Sequence, residues 1–268
     1  MVILDMARKN KDIFINSKEN IMTWGTFGVV HIITIVMSVV LNVALYYALK
    51  YRSKRVQMIV LGILSFSGIA AIIFNLITWG SPLEYLPLHL CSLNALVLPF
   101  AVLFRSKRLG NLLLLWSLGA LFAILINNAS ADFELLSWTF VFYYFPHVLE
   151  LGIPILLMKL NLVKLSVNCV WSTILITMTS YTAIHFINVW VNDYCLTNQI
   201  MNSAGDVIQV NYMYSITPEN PLLQLFYRLI PHEYWYMYLV VPVVVVYLGM
   251  IYLTQYLLLR RKKAQAKI

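Results

Sequence analysis

Four imidazoles and one thiol carry most of the reactive chemistry of this chain. His31, His89, His147 and His185 lie inside apolar runs long enough to cross a bilayer, and Cys91 follows His89 by two residues. Ionisable groups in hydrocarbon are costly and usually functional, so proton transfer, thiol chemistry or ligand binding is expected at these positions. Residues three apart share a helix face. By that spacing Asn94 accompanies Cys91, Glu150 accompanies His147, Asn188 accompanies His185 and Thr34 accompanies His31. A carboxylate one turn from an imidazole can orient it and raise its basicity, so Glu150 is the expected orienter of His147. His89 and Cys91 point in different directions from one helix, so a base for the thiol is expected from another. Each residue has a plainer reading as well. An intramembrane histidine can be no more than an interhelical hydrogen-bond partner, and a lone cysteine can be a small buried hydrophobe. Cys91 and Cys195, expected on the same face, could also form a disulfide.

The elements that must position these groups are membrane-spanning helices. Hydrophobic residues make up 61% of the 268, charged residues 11%, and the mean hydropathy is +0.78. A soluble domain would carry about 25% charged residues. The expected fold is all-α, a polytopic bundle of about seven transmembrane helices. They run approximately over Trp24 to Leu49, Val56 to Trp79, Leu86 to Phe104, Leu109 to Asn127, Trp138 to Met158, Ser166 to Val191 and Tyr234 to Leu259. With an odd number of spans, 14 of the 19 basic residues fall on one face, which places the N-terminus outside and the C-terminus inside. The net charge of +8 is then a topology signal rather than a nucleic-acid footprint. On this orientation all four histidines sit in the outer half, roughly 5 to 13 Å deep.

The domain plan is a tail over 1–23, a transmembrane unit over 24–259 and a basic cytoplasmic tail over 260–268. The first apolar run is too long for a cleaved signal peptide and lacks a small-residue cleavage site. The N-terminal tail, with charges among Ile, Leu and Phe, is expected as a short interfacial helix or as an unstructured arm. The outer connection 192–233 is longer than a linker needs to be. It has a turn signal at Ser203-Ala204-Gly205-Asp206, prolines at 218, 221 and 231, and tyrosines suited to an aromatic belt across the mouth of the bundle.

Three segments resemble a known family. Leu86-Pro87-Leu88-His89-Leu90-Cys91-Ser92-Leu93, Tyr144-Phe145-Pro146-His147, and Asn211-Tyr212-Met213-Tyr214 followed by Pro218 and an aromatic-rich last span are similar to the YwaF-type integral membrane proteins of bacteria. Their eukaryotic relatives are transmembrane acyltransferases acting on ether phospholipids. The similarity runs from about His31 to the last span. It implies a phospholipid acyltransferase or lipid hydrolase of the cell membrane, with Cys91 as nucleophile and His147 as its base. His89, Asn94 and Asn75 would donate to the oxyanion, His31 and His185 would support the site, and Asn211, Tyr212 and Tyr214 would form a binding loop. Membrane lipids are the expected partners, with no nucleic acid, cofactor or metal. The competing readings are a transporter or small-molecule-binding protein with a histidine-lined outer cavity, and a metal or haem protein.

Overall fold

The structure is a computed structural model that describes residues 22–265 apart from 79, 80, 127–129 and 203. The tail over 1–21, with its expected interfacial helix, and residues 266–268 lie outside the described residues. Nine α-helices are found among those described, and no β-strand. They are α1 (Val29–Lys50), α2 (Lys54–Ser65), α3 (Ser67–Thr78), α4 (Leu90–Phe104), α5 (Lys107–Leu125), α6 (Trp138–Lys159), α7 (Val170–Thr197), α8 (Pro221–Leu229) and α9 (Val240–Gln265).

Six helical units are long and apolar enough to cross a membrane, with α2 and α3 together forming one of 25 residues. Their join at Phe66 is a tight turn in which Phe66 N–H donates to Ile63 O and Ser65 Oγ donates to Gly62 O, a serine back-bond of the kind that bends helices. The third expected span is shorter than its apolar run. Pro82–Tyr85 forms a 3-10 turn, His89 is extended (φ −70°, ψ 154°), and α4 begins only at Leu90. Its 15 residues rise about 22 Å, less than a hydrocarbon core of about 30 Å.

Burial sorts the helices into a centre and a rim. In the most apolar stretch of α6, 67% of residues are buried, whereas in that of α1 only 11% are. The core between α4, α5 and α6 is built from Leu98, Leu113, Ile153 and Leu157, with Leu61 from α2. The rim is the reverse of a soluble protein: Ile32, Ile33 and Val36 on α1, and Val245, Val246 and Met250 on α9, are exposed. A hydrophobic outside is what a helix presents to lipid, and the chain is a multi-pass membrane protein.

The long connection folds back on the bundle. Asn202 Oδ1 accepts from Ala204 and Asp206 N–H, closing the expected turn next to Ser203, which is itself outside the described residues. Asn220 caps α8 through Leu223 N–H, and Leu223 and Phe226 of α8 pack on Tyr236.

Candidate functional site

Cys91, Tyr143, His147 and Glu150 converge where the first turn of α4 meets the middle of α6. Glu150 is within electrostatic reach of both His147 and Cys91, and Tyr143 within reach of both Cys91 and Glu150. The Tyr143 ring lies on the His147 imidazole, with centroids 4.4 Å apart. His147 Nδ1 is 2.6 Å from Tyr143 O. A carbonyl can only accept, so Nδ1 carries the proton and Nε2 presents the lone pair. The orienter of His147 is therefore the backbone one turn back. Glu150, expected in that role, makes no hydrogen bond or ion pair with it among the described residues.

Two prolines and a glycine explain where Glu150 goes. Pro154 has no N–H, which frees the carbonyl of Glu150, four residues earlier in α6. Asn94 Nδ2 donates to that carbonyl at 3.5 Å, tying α4 to α6. One N–H of Asn94 is thus already engaged, which weakens its expected service to an oxyanion. The Glu150 side chain packs against α3 at Gly68, where an added Cβ would stand 3.0 Å from Oε1 and 2.5 Å from Ala95 Cβ. Glu150 Oε2 and Asn94 Oδ1 are both buried without a hydrogen-bond partner among the described residues. Pro146, on the same helix, frees the carbonyl of Phe142 in the same way.

The long connection covers this junction. Met213 N–H approaches His89 Nδ1 at 3.4 Å, and the His89 ring sits against Tyr212 and Tyr214 at 5.5 and 5.6 Å. Because Nδ1 faces a donor, His89 carries its proton on Nε2 and keeps one free N–H. Tyr214 is within electrostatic reach of Cys91 and Tyr143. Met213 and Tyr214 both have φ of +54°, two successive left-handed residues with side chains. Asn188 and Asn192 pin the chain just before them. Each amide bonds one loop residue twice, Asn188 with Tyr212 N–H (3.0 Å) and C=O (2.8 Å), Asn192 with Val210 N–H (2.6 Å) and C=O (3.0 Å). Ser215 Oγ receives Asn188 Nδ2 at 2.9 Å and lies 3.1 Å from His185 Nδ1.

A model of the TMEM164 family, a family of transmembrane proteins, matches residues 24–252. The chain belongs to the TMEM164 family. The match contains every residue of the cluster and of the loop above it. No curated protein and no solved structure matches the chain.

Within this TMEM164-family fold the other expected site residues separate. His31 is fully buried beside Trp24, its Nδ1 accepting from Phe27 N–H at 2.9 Å and its Nε2 donating to Ile124 O at 2.7 Å. With both nitrogens spent on backbone, it clamps α1 to the end of α5 and has no role left for chemistry. Thr34 belongs to the same clamp, receiving Trp24 Nε1 at 2.7 Å while its carbonyl receives Tyr144 OH at 2.7 Å. Asn75 is half-buried, and its side chain has no hydrogen bond among the described residues. Asn211 builds its own turn, with Nδ2 donating to Thr217 O and Glu219 Oε1 and Oδ1 accepting from Ile216 N–H. Tyr212 is buried, and its hydroxyl donates to Leu83 O.

All three cysteines are free, so Cys91 and Cys195 are not joined. Among the described residues no three His, Cys, Asp or Glu side chains form a metal-binding group. Tyr143 and Asn192 were missed from sequence, although each is four residues from an anchor already singled out, His147 and Asn188, and so shares its face.

Proposed function

We propose that this TMEM164-family protein transfers acyl groups between membrane lipids through a thioester on Cys91. The observation that carries the reading is the fixed tautomer of His147, which leaves Nε2 with its lone pair, together with Glu150 lying in electrostatic reach of both His147 and the Cys91 thiol of the neighbouring helix. Cys91 is the second residue of α4 and so lies on its first turn, facing the middle of α6.

The step balances without a co-reactant. His147 Nε2 takes the Cys91 proton, and sulfur attacks a lipid ester carbonyl. The tetrahedral oxyanion collapses, and the departing lysolipid oxygen receives the proton from His147. A second lysolipid hydroxyl then gives its proton to His147 and attacks the thioester, and sulfur leaves as thiolate. Water in place of that hydroxyl gives hydrolysis. The Nε2–H of His89 would serve as donor to the oxyanion. Tyr214 and Tyr143 wall the site, and the cell membrane is the source of both lipids. The resemblance to YwaF-type proteins and ether-phospholipid acyltransferases points the same way.

The test is peptide mass spectrometry of detergent-purified protein after incubation with phospholipid. A hydroxylamine-sensitive acyl adduct on the Cys91 peptide, absent in Cys91→Ala and reduced in His147→Gln, supports the thioester. An unmodified Cys91 at full peptide coverage overturns it and returns the cluster to a binding or transport role.

A further inference from the structure

A groove of about 470 Å³ runs between α1 and α6, walled by Val39, Val43, Tyr46, Tyr47 and Ile155 and ending at Lys159. Twelve residues separate His147 from Lys159, a rise of about 18 Å, so the charged end of the groove is remote from the thiol cluster. The helices touch where the groove begins. Asn42 Nδ2 donates to Val148 O at 3.1 Å, and a Cβ on Gly152 would fall 1.5 Å from Asn42 Oδ1. Beyond this contact the two helices leave an apolar channel about 12 Å long, counted from Asn42 to Lys50.

Charge marks the far end. The turns over 50–55, 105–108 and 159–164 carry nine lysines and arginines, and among the described residues no carboxylate lies in them. Lys54 is committed to Leu160 O. Lys50 lies over the rings of Tyr46, Tyr47 and Tyr51, 4.9 to 6.0 Å from their centroids, and two of these rings line the groove. Lys159 closes it. An apolar slot that opens sideways to hydrocarbon and ends between two cations without carboxylate partners fits one acyl chain under one negatively charged headgroup.

We infer that the α1–α6 groove retains one anionic phospholipid, with an acyl chain along Val39, Val43 and Tyr47 and its phosphate between Lys50 and Lys159. This lipid is a fixed component of the fold and not the substrate. Its readout requires no acyl transfer, so its failure and that of the proposed function are distinguishable.

Native mass spectrometry of full-length protein in detergent tests it, with dioleoylphosphatidylglycerol or dioleoylphosphatidylcholine added as the probe. Wild type is expected to retain one phosphatidylglycerol and to release phosphatidylcholine. Lys50→Gln and Lys159→Gln each lower that retention about fivefold. Val43→Trp, which fills the groove from an exposed position and leaves the charge unchanged, lowers it as well. Lys164→Gln and Arg108→Gln, exposed cations at the same end outside the groove, leave it unchanged. Equal retention of the two lipids, retention that survives both groove lysine changes, or an equal loss in the two control variants overturns the inference.

Discussion

His31 and His147 are the same residue type, buried on neighbouring helices, yet they are solved differently. His31 gives both ring nitrogens to backbone groups, at Phe27 and Ile124. His147 gives one to Tyr143 O and keeps the other. A buried imidazole with both partners filled is a clamp, whereas one with a single fixed partner is a pre-set base. Partner accounting, more than depth or burial, separates the structural histidine from the one proposed as the base.

The strongest way to break this contrast is His147→Gln. Removal of a general base lowers Cys91 acylation by about 10²- to 10⁴-fold, read from the rate of adduct formation, while the thermal midpoint in detergent stays close to wild type. His31→Ala is expected to do the opposite. It orphans the Ile124 carbonyl and leaves a void, costs about 2–3 kcal/mol in the denaturation midpoint, and leaves acylation per folded molecule unchanged. If His31→Ala abolished acylation in folded protein, the division into clamp and base would fail.

A smaller effect sharpens the role of the loop. Asn188→Ala removes reciprocal bonds to Tyr212 and is expected to cost about 1–2 kcal/mol. Hydrogen exchange should show the Tyr212 amide, protected in wild type by Asn188 Oδ1, becoming labile while Val210 stays protected by Asn192. The smallest effect is on titration. Burial pushes Tyr212, in the loop outside the spans, up to about 12 from an ordinary 10. The unfolded chain ionises first, so this contribution to stability is intact below pH 10 and is lost as pH rises towards 12. The ultraviolet difference titration between wild type and Tyr212→Phe should show the late-ionising phenol.

The helices were legible because hydropathy dictates them, and six of the expected spans appear close to their predicted places. The third is shortened for a local reason. Pro87 keeps Leu86, the residue before it, out of the helical region (φ −55°, ψ 140°), so His89 becomes the residue before α4 and Cys91 falls on its first turn. Spacing rules placed Glu150, Asn94 and Asn188 on the right faces. They could not show that a backbone carbonyl holds His147, because every residue has a carbonyl and only folding selects one. For the same reason the fate of His31 depended on Ile124, 93 residues away. Pro154 was a readable signal, since proline always frees the carbonyl four residues earlier.

The two left-handed residues over His89 bear on how firmly the loop above the thiol is held down. Met213 and Tyr214 each hold about 1–2 kcal/mol of backbone energy that a relaxed conformation would release. Lifting this segment sacrifices the Asn188 bonds and recovers that energy. Relaxation of the two residues would therefore offset about 2–4 kcal/mol of the cost of breaking the latch, which makes the loop easier to lift than an unstrained one held by the same bonds.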